Sequence, residues 1–269
     1  MQPKLIALDL DGTLLNGKEK ISQRTKRVLA AAQRAGHHVV IATGRPDNIS
    51  ERYYDQLHLT TPMINFNGAL IHRPHQHWAG ERQLTIHRQT ALALLQLRQA
   101  FPIRAVVAEG KQLLLPDRPV AHLPFFPSMR HPRALLAQET LRRDPISMTF
   151  FIQAKTLPAL QQAIQTQFPE VAVQTWGAWS GDNTALEVIQ QATNKASALD
   201  HILPQFGLTQ RDVIAFGDDD NDAEMLTAAG LGIAMANAKP QIQALAGHTT
   251  RHANQADGVA RFLARYLAL

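Results

Sequence analysis

The chain of 269 residues has no cysteine, which excludes a disulfide framework, thiolate metal ligation and a cysteine nucleophile. It has no run of 18 or more apolar residues, so no membrane-spanning helix is expected. The N-terminus passes directly into a strand pattern with Lys4 as its only early charge, unlike a targeting segment; a cytoplasmic protein is the expectation. Neither a repeat of fixed period nor a low-complexity segment occurs. A concentrated basic patch is lacking too. The 27 Lys and Arg outnumber the 22 Asp and Glu to give a net charge of +5, but they are spread singly and in pairs along the chain, which argues against a nucleic-acid binder. A mild positive field also suits an enzyme that steers anionic metabolites. The 45% hydrophobic content is ample for a core, in one large α/β domain or two of ordinary size.

The first informative stretch is Leu5-Ile6-Ala7-Leu8 followed by Asp9-Leu10-Asp11-Gly12-Thr13. An unbroken apolar run closed by an Asp-Gly turn reads as a central strand of a parallel sheet, buried on both faces. In open α/β sheets ligands bind beyond the carboxyl ends of the strands, which places Asp9 and Asp11 at the mouth of the crevice. Alone, the turn fits a solvated loop better, because matches to a motif this short are common.

Ser22 as N-cap, the apolar face of Ile21, Val28, Leu29 and Ala32, and Gly36 as terminator predict a helix. A second apolar strand, His38 to Ala42, then ends in Thr43-Gly44-Arg45, completing a βαβ unit with Thr43 on the same sheet edge as Asp9. A helix over about 47–57 and a strand from Thr61 to Phe66 follow. Asn67-Gly68 fits a hairpin turn into Ala69 to His72. His72, His75 and His77 invite a metal site, but Pro74 suggests a hairpin tip and no carboxylate accompanies them.

From about Arg82 the pattern becomes mixed. Short strands are expected at 84–86, 103–108, 112–115, 146–153, 171–175 and 185–189, with helices at 90–101, 133–143 and 157–168, and a loop over the five prolines from Pro116 to Pro132. The first pattern then returns: a helix opening at Lys195, the buried strand Val213 to Phe216, the acidic turn Gly217-Asp218-Asp219-Asp220-Asn221-Asp222, a helix from Ala223 to Ala229 and a short strand from Gly232.

The expected strand ends thus collect Asp9, Asp11, Thr43, Gly44 and the cluster from Asp218 to Asp222 on one edge, with Lys195 following the strand that ends at Ile189. Such a set of carboxylates calls for a cation, and oxygen ligands alone favour Mg²⁺. Asp219 and Asp220 can point away. The cluster alone would also fit a solvated loop or a calcium loop, although its spacing and the missing late Glu do not match an EF-hand. A hydroxyl, a Gly-turn N–H and an ammonium beside the cation are groups that hold phosphate. A carboxylate there can serve as nucleophile toward phosphorus.

In that order, Asp9-Leu10-Asp11-Gly12-Thr13, Thr43-Gly44-Arg45, Lys195 and Gly217 to Asp222 resemble the four motifs of the haloacid dehalogenase (HAD) superfamily phosphatases. Asn67-Gly68 and the segment from Glu187 to Lys195 further resemble its Cof-type branch. The resemblance implies an α/β fold: a Rossmann-like core with a parallel sheet over 1–82 and 187–269, and a smaller α+β cap over 83–186 that covers the crevice and excludes water. It implies Asp9 as nucleophile and metal ligand, and Asp11 as general acid and base that also offers its backbone carbonyl to the metal. Asp218 and Asp222 would complete and support the metal shell. Leu10 and Gly44 through their backbones, with Thr43, Arg45, Asn67, Lys195 and Asn221, would bind substrate. Arg104, Lys111, Trp176 and Trp179 are further candidate contacts. The implied function is Mg²⁺-dependent hydrolysis of small phosphorylated metabolites through an aspartyl phosphate, with neither nucleic acid nor membrane as partner. A phosphomutase, or a non-catalytic phospho-accepting or phosphate-sensing protein, is the alternative.

Overall fold

The computed structural model describes residues 2–119, 132, 134–180 and 182–269, the side chains of 176–180 excepted. Most of the proline-rich loop and the side chains of Trp176 and Trp179 therefore lie outside the described residues. In chain order the elements are β1 (Leu5–Leu8), α1 (Gln23–Arg34), β2 (His38–Ile41), α2 (Asp47–Gln56), β3 (Met63–Asn65), β4 (Leu70–His72), β5 (Arg82–Gln83), α3 (Arg88–Gln96), β6 (Ile103–Gly110), β7 (Leu113–Pro116) and β8 (Ser147–Gln153). They continue with α4 (Leu157–Gln167), β9 (Val171–Ser180), β10 (Asn183–Gln190), α5 (Lys195–Ile202), β11 (Val213–Gly217), α6 (Ala223–Ala228), β12 (Leu231–Ala234), α7 (Pro240–Leu245), β13 (His248–Thr249) and α8 (Gly258–Tyr266). No described helix is long and apolar enough to cross a membrane.

The chain divides into two compact units, one of Met1–Arg45, Ser50–Arg82 and Asn194–Leu269, the other of Pro46–Ile49 and Gln83–Thr193. The first is built on a five-stranded parallel sheet in the order β13-β12-β11-β1-β2. Every residue of β1 is fully buried, with Leu5 opposite Val213 and His38, and Leu8 opposite Phe216 and Ile41. This is the environment that an unbroken apolar tetrapeptide demands. The chain winds outward from β1 to β2 on one side and from β11 through β12 to β13 on the other. The topological switch point is therefore between β1 and β11, whose carboxyl ends carry Asp9 and Asp218. A parallel bridge from Ala42 to Ile64 brings the β3–β4 hairpin beside β2. Helix α1 has the expected cap: Ser22 Oγ accepts from Thr25 N at 3.0 Å, and Gly36 follows the helix end with φ +89°.

The second unit is a five-stranded antiparallel sheet, β7-β6-β8-β10-β9. Val106, Ala108, Met148, Phe150, Leu186 and Val188 form a core with Leu94 of α3 and with Leu160 and Ile164 of α4. The architecture is α/β with a smaller α+β unit.

Three expectations from the sequence are corrected. The boundary at 186/187 would cut β10, but that strand is continuous to Gln190 and paired with β8 and β9, so 187–193 belong to the second unit. The strand ending at Ile189 thus stays whole in the second unit, and Lys195 joins the first unit from the start of α5. The helix expected over 133–143 is not formed within its described residues. Its carbonyls are diverted: Arg88 donates to Gln138 O and Leu141 O, both at 2.5 Å, and Thr140 Oγ1 donates to Leu135 O at 2.5 Å. The strand expected at 84–86 is replaced by Arg82–Gln83.

Candidate active site

The turn after β1 is not a solvated loop. Asp9 N donates to Phe216 O at 3.1 Å, and Leu14 N and Leu15 N donate back to Asp9 O and Leu10 O at 3.2 and 2.8 Å. The chain reverses at Gly12, whose φ of +71° lies in the left-handed region. A Cβ there would come within 2.0 Å of Asp218 Oδ2, so only glycine lets the two strand ends close on each other. Thr13 Oγ1 then donates to Asp218 Oδ1 at 2.8 Å, and Asn237, after β12, donates to Gly12 O at 2.8 Å.

Asp9, Asp218 and Asp222 converge here, each offering a carboxylate oxygen within 4.8 Å of the others. Lys195 reaches them from the first turn of α5, its Nζ 2.6 Å from Asp9 Oδ1 and 2.7 Å from Asp222 Oδ1. Lys195 and Asp222 are fully buried and Asp9 is 5% exposed. Helix α5 is aimed by its N-cap, Asn194 Oδ1 accepting from Ser197 N at 2.7 Å. The other oxygen of Asp222 accepts the backbone N–H of Asp218 and of Asp219 at 2.9 and 3.2 Å, which fixes the acidic turn.

The electrostatics follow from this crowding. Burial pushes the Asp9 carboxyl well above its ordinary range; Lys195 opposes that shift, while Asp222, Asp218 and Asp11 add to it. Burial also pushes Asp218 up to about 7, the Thr13 hydrogen bond opposing and the charges of Asp222 and Asp219 reinforcing. For Lys195 burial alone would lower the pKa, but the charges of Asp222 and Asp9 outweigh it and raise it. With all three carboxylates ionised, one ammonium leaves two negative charges without a partner cation in a largely buried site. An all-oxygen donor set with that deficit suits a hard divalent cation.

Asp11 is not in the trio. Its carboxylate receives both Nε and Nη2 of Arg45, at 2.7 and 2.5 Å, and Glu19 takes a further Arg45 contact at 3.1 Å. These partners hold the Arg45 guanidinium charged despite its burial. Thr43 Oγ1 accepts from Arg45 N at 3.1 Å, tightening the turn after β2. Beyond it, Asn67 sits in a left-handed conformation, φ +53°, and its Oδ1 accepts from Asn221 at 2.8 Å. A Cβ on Gly44 would lie 3.0 Å from that same Oδ1. Thus Thr43, Gly44, Asn67 and Asn221 line one side of the strand ends and the carboxylates the other. Leu10 is fully buried. Asp219 and Asp220 turn outward: both pair with Lys239, and Asp220 also accepts from Gln241 at 3.1 Å.

Among the described residues the three aspartates are the one group of His, Asp or Glu placed to share a metal ion. His72, His75 and His77 form none; His72 bonds Asn65 and His75 pairs with Asp55. Thr13, Glu19 and Asn237 also join the site, with no role assigned to them by sequence pattern. Asn237 was discoverable, since it follows a strand of the same sheet at the same edge; Glu19 carries no local signal.

Comparison with known proteins agrees with this geometry. Residues 6–263 match the model of the haloacid dehalogenase-like hydrolases. The chain is 34% identical over its full length to the 5-amino-6-(5-phospho-D-ribitylamino)uracil phosphatase YitU of Bacillus subtilis, covering 99% of that protein. It is 28% identical to the pyridoxal phosphate phosphatase YbhA of Escherichia coli, over 99% of this chain and all of that one. A haloacid dehalogenase-like hydrolase of Bacteroides thetaiotaomicron has a similar structure, with TM-score 0.82 and 25% identity over 98% of this chain and all of the other. The chain belongs to the haloacid dehalogenase-like hydrolases, in their Cof-type branch, and is a phosphoric monoester hydrolase. The YitU and YbhA relatives are both named for small phosphorylated substrates.

Proposed function

We propose that the protein is a Mg²⁺-dependent phosphatase that works through an aspartyl phosphate on Asp9. The observation that carries this reading is the placement of Lys195 Nζ between Asp9 and Asp222, with Asp218 beside them, at the switch point of a parallel sheet.

Asp9, Asp218 and Asp222, with the backbone carbonyl of Asp11, would hold the metal. Bound there, Mg²⁺ supplies the positive charge that lets a phosphate dianion sit among carboxylates. Thr43 Oγ1, the N–H groups of Gly44 and Leu10, Lys195 and Asn221 bind the phosphoryl oxygens, with Arg45 and Asn67 beside them. A carboxylate oxygen of Asp9 attacks phosphorus and the bond to the ester oxygen breaks. Asp11 gives its proton to the departing alkoxide. It then takes a proton from water, whose oxygen attacks the same phosphorus; the P–O bond to Asp9 breaks, and inorganic phosphate leaves. Burial of Asp9 serves this chemistry, since a desolvated carboxylate paired to one ammonium is not wrapped in water.

For the substrate, the names of the relatives favour a ribitylamino-pyrimidine phosphate or pyridoxal phosphate over a nucleotide. The test is phosphate release from p-nitrophenyl phosphate and from a panel holding both of those esters, sugar phosphates and nucleotides, with Mg²⁺ or EDTA. Turnover that disappears with EDTA and in Asp9→Asn supports the mechanism. Turnover that survives in Asp9→Asn would overturn it.

A further inference from the structure

His72 ends β4, is wholly buried, and has no place in the chemistry above. Its Nε2 lies 3.0 Å from Oδ1 of Asn65, at the end of β3. The hairpin register sets Met63 opposite His72 and Asn65 opposite Leu70, so Asn65 and His72 are diagonal neighbours on one face. The amide nitrogen of Asn65 donates to Ser50 Oγ at 2.7 Å and to the backbone carbonyl of Arg45 at 2.8 Å.

These contacts determine one another. A carbonyl can only accept, so the Asn65 atom facing Arg45 O is its nitrogen. Its Oδ1 therefore faces His72, and His72 must carry a proton on Nε2. The Arg45 carbonyl also accepts from Phe66 N at 3.3 Å, and Thr43 N donates to Ile64 O at 2.9 Å, so the turn after β2 is fastened to β3 at both ends. From the same Arg45 the guanidinium closes on Asp11 in bidentate fashion. An unbroken run of hydrogen bonds and one residue's backbone thus leads from buried His72 to the exposed Asp11 carboxylate. Burying an imidazole, an amide and a hydroxyl together is costly unless each is bonded, and an apolar pair would fill the same space.

We infer that Asn65 and His72 are positioning residues of the phosphatase reaction: they fix the Thr43–Arg45 turn and, through Arg45, the orientation of Asp11. The inference rests on the roles given above to Arg45 and Asp11.

A double-mutant cycle with p-nitrophenyl phosphate tests it, comparing His72→Leu in the wild-type and Arg45→Ala backgrounds. Residues in one hydrogen-bond network couple, so His72→Leu should lower kcat about tenfold in the wild type and less than about twofold once Arg45 is gone. His72→Gln, which restores a donor nitrogen, should recover most of kcat at equal thermal stability to His72→Leu. Equal losses in both backgrounds would mean a merely structural histidine and overturn the inference. So would an Arg45→Ala enzyme as active as the wild type. A folded wild type without any turnover would defeat the phosphatase mechanism and this inference together, whereas an active wild type with additive losses defeats this inference alone. Nitrogen-15 spectra of the His72 ring give an arm independent of activity: an Nε2–H tautomer at neutral pH is expected, and an Nδ1–H tautomer overturns the run of hydrogen bonds.

Discussion

Asp9 and Lys195, 186 positions apart in sequence, meet as a buried ion pair at 2.6 Å. The pair is held from two sides, because the same ammonium also bonds Asp222 at 2.7 Å. Removing one partner of a buried pair leaves an uncompensated charge and typically costs about 3–5 kcal/mol. Lys195→Met should therefore unfold at lower denaturant concentration in EDTA and recover part of that loss when Mg²⁺ is added. Phosphatase activity should fall by about two orders of magnitude or more, as for loss of a group that stabilises transition-state charge. Parallel denaturation curves with EDTA and with Mg²⁺ check the first point; an unchanged midpoint in EDTA would contradict it.

Metal binding should be linked to pH. Asp218 is held near 7 by burial and by the charges around it, so at pH 6 a cation must displace its proton and at pH 8 it need not. Apparent Mg²⁺ affinity is expected to rise as pH increases through 7, by up to about tenfold per unit on the acid side. Calorimetric titration at pH 6, 7 and 8 in buffers of different ionisation enthalpy measures both the affinity and the protons released. Affinity independent of pH over that range would contradict a raised Asp218 pKa.

Gly12→Ala tests the closure of β1 on β11. An alanine at φ +71° is strained, and its Cβ would fall on the Asp218 carboxylate. A stability loss of about 1–3 kcal/mol is expected. Displacement of Asp218 should weaken Mg²⁺ binding more than the stability loss alone explains. Gly36→Ala is the control, because Gly36 also has a positive φ but a Cβ there meets nothing within 4 Å. It should lose stability without loss of Mg²⁺ affinity.

The second unit holds a buried carboxyl of its own, Glu109, pushed up to about 8 by burial and by the neighbouring charge of Glu187, against the Thr149 hydrogen bond. Between the unfolded value near 4.5 and 8 the native state binds this proton and the unfolded chain does not. The stability it contributes is complete below about pH 4.5 and is lost as pH rises toward 8. Relative to the wild type, Glu109→Gln should therefore gain stability between pH 5 and 8.5, on the order of a few kcal/mol. Urea midpoints of both proteins across that range decide the sign. A constant difference would show that Glu109 titrates normally.

Local residue pattern is enough to encode the parallel sheet and the content of its carboxyl edge. Buried strands are unbroken apolar runs, so Leu5 to Leu8 and Val213 to Phe216 were legible one residue at a time, and the strand-end rule put Asp9, Thr43 and Asp218 on one edge. Ser22 and Gly36 bounded α1 for equally local reasons. Relations whose cause lies far along the chain are not legible in this way. The pattern over 133–143 predicts a helix, yet Arg88 and Thr140 bond its carbonyls and no helix forms within its described residues. The strand 185–189 has an apolar pattern that suits a parallel or an antiparallel sheet, and its pairing with β8 and β9 assigned it to the second. Gly12 was visible as a turn residue, yet its need to be glycine comes from Asp218. The spacing of His72, His75 and His77 argues against a metal site but names no partner for His72, and only the β3–β4 register shows that it faces Asn65. Local sequence encodes propensity and periodicity; which partner satisfies a buried polar atom is set by packing between segments distant in sequence.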